Sequence, residues 1–262
     1  MNAIVEDTLQ LTFPEVRQRV SAEEWQQRVN LAAAFRLCVH FNMADQIYAH
    51  LSAKLPDRPS HYLVNAYGLS FDEVTASNLC VVNFDNEVVE DPTGLGVNPS
   101  AFAVHGGIHK IRPDLKCVMH VHTKAGAAVS AQKRGLRNIS QHAMRFHNRV
   151  GYHKFNGTAT SATEEKNLGQ SLGNYKVLIL RNHGLLTGGA EVREAFELLY
   201  FLELACQIQV AAMAGGDDVY ECDDDAAEAT AAHFDKPGRA GTKRDWPALL
   251  RLCDRIDSSF RD

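Results

Sequence analysis

This chain of 262 residues has no excess of positive charge: 27 Lys and Arg stand against 32 Asp and Glu, a formal net charge of −5. Nucleic acid is therefore excluded as a general partner, and the short basic group "KRGLR" reads as ordinary surface. No apolar run reaches the length needed to span a bilayer, and the N-terminus "MNAIVEDTLQ" lacks the apolar stretch of a signal peptide. The expectation is a cytoplasmic protein with no membrane partner. There is no C-x-x-C pair. Cys38, Cys80, Cys117, Cys206, Cys222 and Cys253 are scattered, several within apolar patterns, and read as buried free thiols of a reducing compartment. Internal repeats, low-complexity linkers and composition breaks are absent, so nothing forces two domains. Gly188-Gly189 does not sit in a G-x-G-x-x-G pattern and reads as a turn, not a phosphate cradle.

Helix and strand signals alternate along the chain. Residues 1–20 read as an N-terminal arm, loose or docking. Ser21-Ala22-Glu23-Glu24 is a capping box that opens an apolar-periodic helix to about Phe41. Four short runs follow ("IYAHLSAKL", "HYLVNAYG", "CVVNFD", "EVVED"), expected as strands. Asn98 caps a helix with Pro99 in its first turn, which ends before Arg112-Pro113. "KCVMHVHT" is a strand, "KAGAAVSAQKRG" a helix closed by Gly135, and "VGYHKF" a strand. Ser161 to Glu164 repeats the capping box before a helix that stops at Gly173. "YKVLILRNHGLLTGG" reads strand, turn, strand. A long helix runs from about Glu191 to Ala214 and stops at Gly215-Gly216. The acidic "DDVYECDDDAAEATAAHF" reads as a solvated helix or loop, and "DWPALLRLCDRID" as a last helix capped by Asp245. Helices flanking several strands predict a layered α/β domain over 21–262, with its core at about 25–215 and a helical tail at 216–262.

Histidine is what the chain has in unusual measure: eight of its 12 fall between 105 and 183. In a strand, residues two apart share a face, so His120 and His122 project together. Such a pair can hold one divalent ion through neutral imidazole nitrogens, or it can be two partly buried rings bonded to backbone. His183 follows the strand "VLILRN" and precedes Gly184, at a strand end where ligands gather. A third imidazole there would complete a facial set with open positions for substrate and water.

"RPDLKCVMHVHTKAGAAVSA" followed by "LILRNHGLLTGG" resembles the class II aldolase/adducin family. The flanking "LSFDEVTASNL", "NPSAFAVHGGIHKIRPD" and "EAFELLYFLELACQIQ" agree, so the likeness spans roughly 25–215. The resemblance implies a single three-layer α/β/α domain with a largely antiparallel central sheet. It also implies a homo-oligomer (tetramer or dimer) and one divalent ion per chain on His120, His122 and His183. Zinc is the expected ion, with iron, manganese or cobalt as substitutes.

The chain departs from the aldolase pattern in ways that bear on chemistry. The glutamate that serves as acid/base in sugar-phosphate aldolases is matched by Ala101 in "NPSA", and alanine cannot move a proton. The positions that hold phosphate are matched by His50 and Tyr67, both larger. The adducin-like branch is the better match, and the substrate is expected to be a small unphosphorylated molecule. Positions 101, 105 and 109 are four apart on one helix and share a face, so His105 is the first candidate acid/base, with His50 and His142 as alternatives. Tyr67, Ser100 and His109 are candidate substrate-binding residues. Glu203 could support a ligand histidine or form an ion pair. His40, His61, His147, His153 and His233 read as surface or loop.

Three functions follow. The first is a metal-dependent lyase, of aldolase or decarboxylase type, acting on a small oxo, hydroxy or aromatic acid. The second is a non-haem iron oxygenase. The third is a non-catalytic adducin-like interaction domain.

Overall fold

Ser21 opens the first long helix as its sequence predicts, its hydroxyl accepting from the Glu24 amide at 3.1 Å. The structure, a computed structural model of the chain, describes residues 9–157, 162–236 and 244–262. Short α1 (Pro14–Arg19) precedes this helix, α2 (Ala22–His40). Strands β1 (His50–Lys54), β2 (His61–Val64), β3 (Cys80–Asn83) and β4 (Val88–Glu90) follow. Asn98 then caps α3 (Pro99–Ala101), which runs through a π-helical turn, Phe102–Gly106, into α4 (Gly107–Ile111). After it come β5 (Cys117–Val121), α5 (Lys124–Ala131), α6 (Gln141–Met144), β6 (Val150–His153) and α7 (Ala162–Leu172). The remainder is β7 (Val177–Leu180), β8 (Gly184–Gly189), α8 (Val192–Ala212), α9 (Asp224–Phe234) and α10 (Asp245–Ile256).

The eight strands form one sheet in the order β4-β3-β2-β1-β5-β8-β7-β6. Every neighbouring pair is antiparallel except β6 and β7, which run parallel. The chain is thus α/β with a mixed, mostly antiparallel sheet. Strand alternation sorts the apolar residues into two clusters. Cys117, Met119 and Val121 of β5 join the larger one, with Leu31 and Phe35 of α2 and Phe196 and Leu199 of α8. Val118 joins the smaller, with Val104, Ile108, Leu168, Leu172 and Leu178. His120 shares the face of Val118, so its ring lies on the side of the π turn and α4.

Several expectations are corrected. The helix after "HVHT" ends at Ala131, not Gly135: Gln132 turns extended, its carbonyl accepting from Arg181 at 2.6 Å and its side chain from Gln209. Asp245 is not a cap, because Arg244 before it is already helical and Asp245 lies in the first turn. Ser161, the expected cap of α7, lies outside the described residues. His153 is neither surface nor loop. It is buried in β6, bonded to Ser171 and Glu164. Of the two alternatives for the arm, docking is the one met, from Leu11 onward: the Leu11 carbonyl accepts from Thr75 and Asn78, and Phe13 and Val16 are buried. Lastly, one helix, Val192–Gly215, is long and apolar enough by length and composition to cross a membrane, contrary to the count of apolar runs. Glu197 and Glu203 interrupt the run without breaking the helix. Its inner side packs on α2, α5 and β8, and a third of its most apolar stretch is buried inside the chain.

Candidate metal centre

Register builds the site. β1 lies antiparallel to β5 with His50 opposite His120 and Ser52 opposite Val118, so all four side chains project from one face. β5 ends at Val121. His122 continues on the His120 side, and Thr123 stops the strand by capping α5, its hydroxyl oxygen accepting from the Gly126 amide. The turn between β7 and β8 supplies the third ring. Asn182 takes the left-handed conformation (φ 57°), which asparagine tolerates better than most residues, and the chain reverses at once. His183 is held by its amide, which donates to the Leu180 carbonyl and to Ser130 Oγ. Gly184 is required by contact: a Cβ there would sit 2.3 Å from the Val121 carbonyl oxygen. Asn-His-Gly thus reads as turn, candidate ligand and close approach.

The three rings converge through their Nε2 atoms. His122 Nε2 lies 2.9 Å from His120 Nε2 and 2.9 Å from His183 Nε2. Two of the three cannot donate across these gaps as neutral rings. His120 Nδ1 donates to the Leu185 carbonyl at 2.9 Å and His122 Nδ1 to the Asp45 carboxylate at 3.0 Å, so their Nε2 atoms carry bare lone pairs. Lone pairs this close repel unless a cation lies between them. Zinc ligands about 2.1 Å from one tetrahedral ion are spaced about 3.4 Å apart, so the cluster is slightly contracted and of the right size. Burial, then the neighbouring imidazoles, holds His120 far below its ordinary pKa, and the same causes bring His183 down to about 4. Both stay neutral at pH 7, the form a metal needs. The three residues fit a divalent ion, with His122 and His183 partly open to solvent.

A second row of histidines stands behind the first. The His50 ring lies 5.2 Å from that of His120, centroid to centroid. His50 Nε2 is 3.1 Å from Ser100 Oγ, and its Nδ1 is 2.8 Å from His105 Nε2. His105 Nδ1 is 2.6 Å from Ser52 Oγ, which also lies 2.9 Å from His109 Nε2. His105 and His109 do share a face, as their spacing predicts. His105 is fully buried, and both its ring nitrogens are in use, bonded to His50 and Ser52. His109 is almost as buried, held between Ser52 and the Leu115 carbonyl. Ser100, at the start of α3, joins the cluster through His50. Tyr67 is about one-third exposed in the loop after β2, its amide donating to Gly96. His142 lies on α6, stacked on Phe201 with centroids 5.4 Å apart, and no described contact joins it to the other histidines. Glu203 takes neither expected role. It is buried and accepts from Thr123 and Gln207, and burial raises its pKa.

Sequence reasoning missed Asp45 and Ser52. Ser52 lies two residues from His50 on the same strand face, which would have singled it out once β1 was paired with β5. Asp45 is the lone acid of "FNMADQIYAH", a weak signal in a loop.

The family model described as "Class II Aldolase and Adducin N-terminal domain" matches residues 29–210. The crystal structure of an aldolase II superfamily protein from Pseudomonas syringae is 45% identical, with a TM-score of 0.90 over 95% of this chain and 100% of that one. L-fuculose 1-phosphate aldolase from Glaciozyma antarctica is 27% identical, with a TM-score of 0.81 over 96% of both chains. Alpha-adducin of Rattus norvegicus is 37% identical over 87% of this chain, which spans 33% of that protein. The converging histidines thus sit in a matched region and a shared fold, and the chain belongs to the class II aldolase and adducin family.

Proposed function

We propose that this chain is a metal-dependent carbon–carbon lyase, of aldolase or decarboxylase type, acting on a small unphosphorylated oxo, hydroxy or aromatic acid. The observation that carries it is the convergence of three imidazole Nε2 atoms, two of them left as lone pairs by an acceptor behind the ring. When bound, a divalent ion such as zinc would polarise the substrate's oxygen atoms and stabilise the enolate left by carbon–carbon cleavage. The chain's own residues orient and move protons. Asp45 and Leu185 fix the ligand rings, while Ser100 and His50 Nε2 are the groups beside the centre able to exchange a proton with substrate. Ala101, where related aldolases carry a glutamate, leaves His50 as the acid/base. None of the hydrogen-bonded partners described for these four histidines is a lysine or arginine, which favours an unphosphorylated substrate. We place the enzyme in the cytoplasm as a homo-oligomer of three-layer α/β/α subunits. Its six free cysteines, five of them buried, suit a reducing compartment.

The 37% identity to alpha-adducin together with Ala101 favours a second reading, a non-catalytic interaction domain. Metal analysis and turnover separate the two. Protein purified without added metal is expected to hold about one divalent ion per chain, lost in His122→Ala. It is expected to cleave or decarboxylate members of a panel of 2-oxo, hydroxy and aromatic acids, and to show no micromolar affinity for L-fuculose 1-phosphate by calorimetry. A metal-loaded protein inert toward the whole panel would establish the second reading instead, and micromolar sugar-phosphate binding would overturn the substrate class.

A further inference from the structure

The buried row running from Ser100 to the Leu115 carbonyl has a direction, and a single atom sets it. A carbonyl oxygen only accepts, so at 3.2 Å His109 Nδ1 must donate to Leu115. His109 is fully buried against Lys54, and burial first, then that lysine, brings its pKa down to about 3, so the ring is neutral and its Nε2 accepts. Its donor is Ser52 Oγ at 2.9 Å; the other acceptor near that hydroxyl, the Val118 carbonyl, is at 3.5 Å. With its hydrogen committed, Ser52 Oγ accepts from His105 Nδ1 at 2.6 Å. His105 Nε2 is then a lone pair and accepts from His50 Nδ1 at 2.8 Å. The chain of choices ends at His50 Nε2, which is left without a hydrogen. Its neighbour Ser100 Oγ has one hydrogen and two acceptors, His50 Nε2 at 3.1 Å and Asn98 Oδ1 at 2.9 Å.

We infer that His109, Ser52 and His105 are positioning residues that lock His50 in its Nδ1–H tautomer and so aim a bare Nε2 lone pair at Ser100, beside the candidate metal centre. The logic is that of the carboxylate behind a catalytic histidine, carried here by neutral groups and anchored on a backbone carbonyl that cannot rotate away. Each link is a hydrogen bond of 2.6–3.2 Å between buried groups, so reversing one ring would strand a buried donor against a donor along the whole row. The hydrogen of Ser100, shared between two acceptors, leaves the His50 lone pair open to a substrate proton. The inference rests on the lyase reading for its purpose, since it is the lyase that needs His50 as a base. It does not rest on that reading for its test.

The test reads tautomers directly. In protein labelled with 15N in histidine, long-range 1H–15N spectra at pH 7.5 are expected to show His50, His105 and His109 all protonated at Nδ1 and bare at Nε2. Any wild-type spectrum in which His50 is protonated at Nε2, or is an imidazolium, overturns the lock, and this needs no variant to fold. Ser52→Ala removes the link with the loss of one oxygen. His50 is then expected to shift to a mixed or Nε2–H population with metal content unchanged, and Ser52→Thr, which keeps the hydroxyl, to restore the wild-type spectrum. A His50 that stays wholly Nδ1–H in Ser52→Ala also overturns the lock. Where turnover is found, Ser52→Ala should lower kcat at least about tenfold with KM little changed, because a misdirected base forfeits part of a contribution worth about 100-fold or more. A spectrum that behaves as expected in a protein with no turnover upholds the lock and refutes the lyase reading.

Discussion

Removing the carboxylate behind His122 should weaken the metal centre without unfolding the protein. Asp45 accepts from His122 Nδ1 at 3.0 Å and fixes both the ring's orientation and its tautomer. Partners of this kind are worth about 10- to 100-fold in metal affinity. Two features place Asp45 at the lower end. Its side chain is 43% exposed, so water screens the charge and can replace the acceptor. The neighbouring candidate ligand His120 is fixed independently by the buried Leu185 carbonyl, so the site keeps part of its preorganisation. Asp45→Ala is therefore expected to raise the Kd for zinc about tenfold, or about 1.4 kcal/mol. Asp45→Asn, which keeps an acceptor oxygen, should fall between Asp45→Ala and the wild type. Competition against a chromophoric chelator measures both, and thermal melts of the metal-free proteins should coincide within about 2 °C. An unchanged affinity in Asp45→Ala would refute the argument. So would a loss well beyond 100-fold, which would mean that the carboxylate itself ligates the ion.

Two further expectations concern stability. His109 titrates at about 3 in the folded chain, chiefly through burial, with Lys54 adding repulsion and the Leu115 carbonyl opposing; Ser52, His105 and the Tyr62 ring complete its surroundings. Because this value lies below the ordinary 6.5, its contribution is complete above about pH 6.5 and is lost as pH falls toward 3, at up to about 1.4 kcal/mol per pH unit. Urea unfolding of the metal-free protein between pH 7 and 5 should show this slope reduced by about one proton in His109→Gln, and an identical slope would refute it. Gly184→Ala drives a methyl group into the Val121 carbonyl and toward the His122 ring, and should cost about 1–3 kcal/mol together with a loss of zinc affinity. A variant with wild-type melting temperature and affinity would show that β5 and β8 separate without strain.

The convergence of His120, His122 and His183 was legible in the sequence because its signals are local. Two histidines two residues apart in an apolar strand must share a face, and a histidine between Asn and Gly sits where a strand reverses. The helices were legible for the same reason: Ser21 and Asn98 cap as their local sequence dictates. What stayed hidden was set by pairing between distant strands. Nothing near His50 says that it lies opposite His120, or that Ser52 separates His105 from its sister His109. The helix spacing correctly put 105 and 109 on one face, but a spacing cannot say which side chain on the facing strand reaches that face first. Gln132 failed for a similar reason, since its backbone left the helix for partners on α8 and at the end of β7.

The two rows of histidine also bear differently on the two readings of the family. A scaffold gains little from three converging imidazoles, two of which, His120 and His122, point Nε2 atoms at each other across 2.9 Å with both Nδ1 hydrogens committed elsewhere, because desolvation and repulsion both act against folding. Apolar or mutually bonded side chains would fill that space at lower cost, so the convergence points to an ion. The second row carries no such penalty, since each of its nitrogens has a partner. Taken alone, it would suit a structural core as well as a catalyst. Its direction is what distinguishes it: every hydrogen runs from the metal side toward the Leu115 carbonyl. A purely structural network could end on any acceptor at either end, whereas this one ends with the hydrogen-free Nε2 of His50 beside the three converging histidines. Measuring which nitrogen of His50 carries the proton therefore tests a chemical role in a place where burial and packing alone would be silent.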